Sequence, residues 1–233
     1  MKLIVQIPCL NEEESIARTI RDIPRCIPGV DRVEVLVIDD GSSDRTAEIA
    51  IDNGADHIVC LDKTRGLGEA FLSGIKTALA LGADIIVNTD GDNQYRGKDI
   101  PGIIKPILEK EAEIVIGDRR VRTMKQFSPL KRQLQILGNF VVRRASGTPV
   151  YDATSGFRAI SREAALKLNL KAKFSHTIET ILFAARENIT LTTIPIETNL
   201  TLRPSRLAPN MWSFIIHSIA PIIQTYFFRR HNA

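Results

Sequence analysis

The sequence predicts an α/β protein with a mostly parallel central sheet and helices on both faces. Three observations point there. Short β-branched runs alternate with segments of helical periodicity as far as Gly117, polar and acidic clusters follow directly on three of those runs, and no internal repeat or low-complexity linker interrupts the pattern. Strands separated by single helices favour parallel pairing with right-handed crossovers.

Taken in order, Leu3 to Ile7 reads as a buried strand, and Asn11 as the N-cap of a helix opening with Glu12, Glu13 and Glu14, acids suited to the positive end of a helix. Val33 to Ile38 is a second strand, followed by the turn at residues 39–43 and a helix from about Asp44. His57 to Leu61 is a third strand. Leu67 to Leu81 has helical spacing, and Gly82 closes it as a C-cap. Asp84 to Asn88 and Glu113 to Gly117 are the fourth and fifth strands, with a helix near Ile100 to Lys110 between them. Beyond that the pattern loosens. A helix spans about Lys131 to Ala145, a strand-like stretch lies near Tyr151 to Ile160, and a short helix follows Ser161. A further helix covers about Thr177 to Glu187, and Thr190 to Ile196 is a late strand. One domain, residues 1–210, and a C-terminal helix, residues 211–233, is the organisation expected.

Composition narrows the function classes. At 233 residues the chain suits one sizeable domain, and 44% apolar with 25% charged residues is an ordinary globular balance. The formal charge of +4 suits an anionic partner. Nucleic acid is not indicated, since no Lys/Arg block is interleaved with aromatics. Cys9, Cys26 and Cys60 form no CxxC pair and leave an odd count, which favours a reducing compartment. The N-terminus is too short for a secretory signal, and no charge-free apolar run of spanning length precedes the last two dozen residues.

The chemistry is expected where strands end, because ligands of open parallel sheets bind outside the carboxyl ends of the strands. Pro8 to Glu12, Asp39 to Ser42 and Thr89 to Gln94 would share one rim. Asp90-Gly91-Asp92 is the most specific. Carboxylates at i and i+2 of an extended segment point to the same side, and like charges so close are costly without a cation between them. With no His or Cys nearby, the ion suited to the pair is Mg²⁺ or Mn²⁺, bridging to phosphate oxygens. The competing reading is a solvated turn. Arg65-Gly66-Leu67-Gly68 begins like a dinucleotide fingerprint but follows the third strand, so it reads as a helix start near the ligand. The four histidines share no metal-ligand spacing and read as structural.

The set Pro8, Asn11-Glu12-Glu13, residues 39–46 (DDGSSDRT), residues 90–94 (DGDNQ), Gly117-Asp118-Arg119 and residues 152–158 (DATSGFR) resembles glycosyltransferase family 2, and within it the polyprenyl-phosphate sugar synthases of the dolichyl-phosphate mannose synthase type. The resemblance spans roughly residues 1 to 206. It implies a GT-A fold, a nucleotide-diphosphate sugar donor of the GDP-mannose or UDP-glucose type, a polyprenyl (dolichyl) phosphate acceptor and an inverting transfer. Pro8, Asn11 and Glu12 then line the nucleoside pocket, with Asp39, Asp40 and Gly41 beside them and Asp40 holding base or ribose. Asp90, Asp92 and Gln94, with Gly91 between the acids, form the metal and diphosphate site. Arg119 and Arg132 meet phosphate, where the bidentate geometry of arginine suits. Asp92, Asp152 and Arg119 carry the chemistry, with Asp152 near the sugar. Ser155, Gly156 and Arg158 form the acceptor-side wall, and Arg203 to Arg206 a basic loop that closes over the donor, although the glycine usual before its serine is missing.

Residues 211 to 230 place Ser213, His217, Pro221 and Gln224 on one polar stripe of an otherwise apolar helix, with Trp212 at one end and Tyr226, Arg229 and Arg230 at the other. That pattern resembles an interfacial anchor, implying a peripheral enzyme on the cytoplasmic membrane face; a helix docked on the domain or in a dimer interface is the alternative. Other functions in play are transfer to a sugar hydroxyl, against which the short chain and the absent Gln-x-x-Arg-Trp segment speak, and a non-catalytic nucleotide-sugar binding module. A nucleotidyltransferase should carry a glycine-rich basic loop where Asn11-Glu12-Glu13 stands.

Overall fold

The computed structural model describes residues 1–123, 127–170 and 176–199. Seven strands form one sheet: β1 (Lys2–Cys9), β2 (Arg32–Asp39), β3 (His57–Cys60), β4 (Ile85–Asn88), β5 (Ile114–Asp118), β6 (Arg158–Ser161) and β7 (Leu191–Pro195). Their order is β3-β2-β1-β4-β6-β5-β7. Every pair is parallel except those made by β6, which runs antiparallel between β4 and β5. That strand departs from the all-parallel pattern the early elements suggested, and it occupies only the end of the stretch 151–160; the residues before it form a loop.

The helices are α1 (Ile16–Asp22), α2 (Thr46–Asp52), α3 (Leu67–Ala80), α4 (Ile100–Leu108), α5 (Pro129–Ser146), α6 (Arg162–Lys167) and α7 (His176–Arg186). Period-two alternation in β1 divides the core between the two faces of the sheet. Leu3, Val5, Ile7 and Cys9 pack with Ile16 and Ile20 of α1, Ala50 of α2 and Ile100, Ile103 and Ile104 of α4. Ile4 faces the other way, toward Phe71 and Ile75 of α3, Val142 of α5, Ala164 of α6 and Ile178 and Ile181 of α7. Central strands buried on both faces read as continuous apolar runs, which is why the sequence announced them clearly.

The first helix begins four residues later than its acids suggested. Asn11 is not its N-cap: it sits at φ +53 and its side-chain oxygen accepts from Ser43 N at 2.8 Å, so the residue is tied to the end of β2. A turn follows, with Ser15 N donating to Glu12 O at 3.0 Å, and Ser15 occupies the cap position. Side-chain-to-backbone bonding by Asn has here outcompeted helix entry. The C-terminal helix and Arg203 to Arg206 lie outside the described residues.

Candidate active site

The sheet order reverses direction between β1 and β4, since β1 leads outward to β2 and β3 while β4 starts the other half. A crevice opens at such a switch point, outside the carboxyl ends of the strands. Pro8 helps to open it. Thr89 N donates to Gln6 O and Asp40 N to Cys9 O, so even-numbered residues of β1 turn their backbone toward β4 and odd-numbered ones toward β2. The β1–β4 pairing ends at Gln6 and Asn88. Proline, lacking an N–H, thus stands where β1 has no partner left to bond.

On the β1–β2 side the predicted residues form one hydrogen-bonded unit. Ser42 Oγ accepts from Asn11 N at 2.9 Å, and Asp39 Oδ1 accepts from Ser42 N at 2.9 Å and from its hydroxyl. The buried Asp40 carboxylate accepts from Arg65 N and Gly66 N, each at 2.8 Å. It therefore clamps the loop that leads into α3. Gly41 has φ +76, and a Cβ there would meet Thr64 N at 2.8 Å, so only glycine lets the β2 end and that loop approach. Glu12, largely buried, receives Ser15 Oγ at 2.8 Å, and its backbone N donates to Thr46 Oγ1 at 2.8 Å. Gly91 packs against it: Thr19 Oγ1 donates to Gly91 O at 3.0 Å.

Beyond β4 stand the two acids. Asp92 Oδ1 accepts from Gln94 N at 3.0 Å. Asp90 accepts no hydrogen bond among the described residues, and its carboxyl is pushed up to about 7 by burial and by the charge of Asp92, against the opposing pull of Arg119. A desolvated carboxylate beside a second one, with no donor aimed at it, has the deficit that a divalent cation fills. No cluster of three or more His, Cys, Asp or Glu suited to a metal occurs among the described residues. A hard ion here would therefore take the two carboxylates and the Gln94 amide and complete its shell with ligand oxygens, as Mg²⁺ sites at phosphates commonly do.

Arg119, at the end of β5, connects this pair to Asp152. Its Nε lies 2.7 Å from Asp152 Oδ2 and its Nη2 2.9 Å from Oδ1, a bidentate fork; its backbone N adds a third contact at 3.2 Å. The guanidinium also reaches Thr154 Oγ1 at 3.0 Å and Gln94 Oε1 at 3.4 Å. Burial opposes the charge on each partner, yet the pair outweighs it: Asp152 is held below the usual carboxylate range and Arg119 above the usual guanidinium range. Asp152 is 0% exposed, so it serves Arg119 as counter-ion and is not a base open to solvent.

The loop from Asp152 to Arg158 is organised from within. Arg158 is wholly buried and donates to Ser155 O at 2.9 Å, Thr177 O at 2.6 Å and Ala153 O at 3.0 Å. Burial lowers its guanidinium to about 10. Ser155 is equally buried. Neither lines an acceptor-side wall, as the sequence had suggested; an arginine whose donors satisfy backbone carbonyls in the core holds the loop in shape. Gly156 does face the site. A Cβ on it would come within 2.8 Å of Asp90 Oδ1, and its N donates to Tyr95 Oη at 2.9 Å. Arg132 lies half-buried in the first turn of α5, its Nη2 3.4 Å from Phe127 O. Sequence reasoning passed over Tyr95, Thr154, Lys131 and Gln135. Tyr95 stacks on Phe157 behind Asp90, and Gln135 Oε1 anchors Thr154 Oγ1 at 3.1 Å. Lys131, in the first turn of α5, has its ammonium lowered by burial and by the Arg119 charge, and lies over the Phe127 ring at 4.4 Å. Tyr95 alone had a visible signal, as the aromatic that directly ends the acidic cluster.

These features bear comparison with known proteins. The chain is 30% identical over 217 residues to a UDP-N-acetylglucosamine–dolichyl-phosphate N-acetylglucosaminyltransferase of Methanococcus voltae, with 84% of each chain covered. It is 29% identical over 178 residues to an undecaprenyl-phosphate mannosyltransferase of Micrococcus luteus, covering 74% of this chain and 71% of that one. Among solved structures, glucosyl-3-phosphoglycerate synthase of Mycobacterium tuberculosis, crystallised with Mn²⁺, UDP and glucosyl-3-phosphoglycerate, superposes with a TM-score of 0.72 at 22% identity, over 96% of this chain and 79% of that one, and so shares the GT-A fold. The family model described as glycosyl transferase family 2 matches residues 4–168, which make up most of the described fold and include Asp90, Asp92, Arg119 and Asp152. The chain therefore belongs to glycosyl transferase family 2 and is a glycosyltransferase.

Proposed function

We propose that the chain transfers a hexose, mannose or glucose, with inversion, from a GDP- or UDP-sugar to a polyprenyl phosphate at the cytoplasmic membrane face. The observation that carries this reading is the crevice itself, where two partly buried carboxylates, one of them with no hydrogen-bond donor among the described residues, stand next to an arginine already locked by its own counter-ion. The relatives named for dolichyl and undecaprenyl phosphate support the acceptor, and the Mn²⁺ and UDP of the structural neighbour support a metal-bound nucleotide.

Each residue then has a role in the crevice. Asp90, Asp92 and Gln94 would hold Mg²⁺ or Mn²⁺, which when bound neutralises charge on the leaving diphosphate. Arg119, pre-oriented by Asp152 and Thr154, faces the same phosphates and needs no rearrangement to stabilise them. Asn11, Glu12, Asp39, Asp40 and Gly41 shape the nucleoside end. A lipid phosphate is already an anion near neutral pH, so it attacks the anomeric carbon without a strong base. A hydroxyl acceptor would need one within hydrogen-bond reach, and Asp152, spent on Arg119, is poorly suited. That favours phosphate over hydroxyl.

Arg203 and Arg206 are proposed to close over the donor and residues 211–233 to rest on the membrane; both lie outside the described residues. Within the described residues no helix is long and apolar enough to cross a bilayer. The test is radiolabelled transfer from a panel of GDP- and UDP-sugars to polyprenyl phosphate, with and without Mn²⁺ or Mg²⁺. Metal-dependent labelling of the lipid is the expected result. Donor binding with no transfer to lipid phosphate from any donor would remove the acceptor assignment.

A further inference from the structure

Helix α5 is inside out. Its fully buried positions are Gln135, Asn139 and Val142, two amides and one valine, whereas its outer face carries Leu130 (51% exposed), Leu137 (58%), Phe140 (54%) and Val141 (39%). With Tyr151 (55% exposed), these are five of the eight large apolar side chains exposed among the described residues. A surface helix ordinarily turns its apolar stripe inward and its polar residues to water. The reversal has an evident cause on the inner side, where Gln135 anchors Thr154 and Asn139 bonds Tyr151 O at 2.6 Å and Ala153 N at 2.9 Å. Among the described residues nothing accounts for the outer side.

The charge on that face selects its occupant. The 18 residues of α5 contain no Asp or Glu, and they carry Lys131, Arg132, Arg143 and Arg144. The Arg143 guanidinium lies 4.8 Å from the Tyr151 ring centre and 5.9 Å from that of Phe140, so cation and aromatics form one patch. Residues 207–233 of the same chain are likewise free of acids and hold Arg229 and Arg230. Two acid-free cationic segments offer each other no counter-charge, whereas the composition of both suits an anionic partner. Apolar side chains flanked by arginines and an aromatic belt are the chemistry of insertion at the headgroup level of an anionic bilayer.

We propose that the outer face of α5 docks on an anionic lipid membrane, seating Leu137, Phe140 and Tyr151 among the acyl-chain ends and Arg143 and Arg144 at the headgroups. This rests on the lipid-phosphate reading above and deepens it. One helix then does two jobs: its inner face braces the loop of Asp152 and Thr154, and its outer face sets the distance from that loop to the lipid surface.

The test uses the full chain and sedimentation with phosphatidylglycerol/phosphatidylcholine vesicles, compared with phosphatidylcholine alone. Leu137→Glu with Phe140→Glu should weaken binding at least about tenfold, and Arg143→Gln with Arg144→Gln should remove the preference for anionic vesicles. Transfer to a short-chain polyprenyl phosphate dissolved in detergent should persist in both variants while transfer to vesicle-embedded acceptor falls. Unchanged vesicle binding in both variants overturns the docking, and so does a concentration-dependent dimer in sedimentation velocity that the glutamates dissolve. Failure of the unsubstituted chain to label the soluble acceptor strikes instead at the acceptor assignment and leaves the docking result standing. Melting curves of the two variants guard against misfolding, and the arginine pair, neither member of which is buried, supplies a readout even where the glutamates disturb the helix.

Discussion

At the scale of single residues, Asp90 and Asp92 differ in a way that makes the site testable. Asp92 has a backbone donor, while Asp90 has none among the described residues and holds its proton up to about 7. A divalent ion competes with that proton. The apparent metal affinity should fall about tenfold for each pH unit below 7 and level off above it, in a titration of Mn²⁺ with UDP or GDP present, by calorimetry or relaxation. The sign for stability follows from the same shift. A carboxyl raised above its ordinary value contributes stability that is present at acid pH and lost as pH rises through about 7, so the metal-free chain should melt lower at pH 8 than at pH 6, and Mn²⁺ together with nucleoside diphosphate should close that gap. Replacing Asp92 with alanine should reduce turnover by at least about 10³-fold, judged by what the loss of a key electrostatic group costs elsewhere; retained metal-dependent transfer counts against the whole site. Asp152→Asn tests a different role. It preserves shape but removes the charge facing Arg119, which leaves a buried guanidinium short of its partner and should cost roughly 3 kcal/mol in stability. If Asp152 only orients Arg119, transfer to lipid phosphate should drop about 10²-fold, the cost of a small misplacement, with the pH profile of turnover keeping its shape. Loss of the acidic limb of that profile would instead reveal a base.

At the scale of elements, the braces matter as much as the reacting groups. Asn139 is buried in α5 and its amide is used at both ends, by Tyr151 O and Ala153 N. Asn139→Ala should destabilise the chain by about 2 kcal/mol in urea unfolding, because it strands two backbone groups, and should lower turnover by loosening the loop that carries Asp152. Asn139→Asp should lose at least as much, because it keeps the acceptor for Ala153 N but turns a buried carboxylate oxygen toward the Tyr151 carbonyl. Such braces also mark where sequence reading fails. β1, β2 and β4 were legible because strands buried on both faces are unbroken apolar runs, and the rim acids were legible because they follow those runs directly. β6 was blurred because its four residues come after a polar loop and its antiparallel pairing is a long-range event that no local period reports. Arg158 looked like a binding residue because charge usually means surface, and only the fold reveals three carbonyls waiting for it. The start of α1 was misplaced since Asn11 had two offers, capping a helix or bonding Ser43, and the second lies 32 residues away.

At the scale of the whole molecule, the sheet order puts the two halves of the crevice on separate units. β1, β2 and β3, with the loop before α3, carry Asn11, Asp39 and Asp40, while β4, β5 and β6 carry Asp90, Asp92, Arg119 and the 152–158 loop. They meet through a buried polar chain: Gln6 Nε2 donates to Asn88 Oδ1 at 2.9 Å, and Asn88 Nδ2 to Gly156 O at 2.8 Å. A nucleotide diphosphate lying across the rim would touch one unit with its nucleoside and the other with its phosphates, and only the second contact calls for metal. Binding energies then depend on each other. Nucleoside diphosphate alone leaves the carboxylates facing phosphate with like charge, and metal alone finds too few ligands, so each should raise the melting temperature little. Together they should stabilise by roughly 2.7 kcal/mol at one hundred times the joint Kd, a rise of a few degrees for a chain of this size. The measurement is a four-way thermal melt with buffer, Mn²⁺, UDP or GDP, and both. In Asp92→Ala the joint effect should vanish while the small shift with nucleotide alone survives, because the β1–β3 unit keeps its own contacts. Purely additive shifts in the unsubstituted chain would show that metal and nucleotide do not share one site, and the crevice would then lose the bridge on which its catalysis depends.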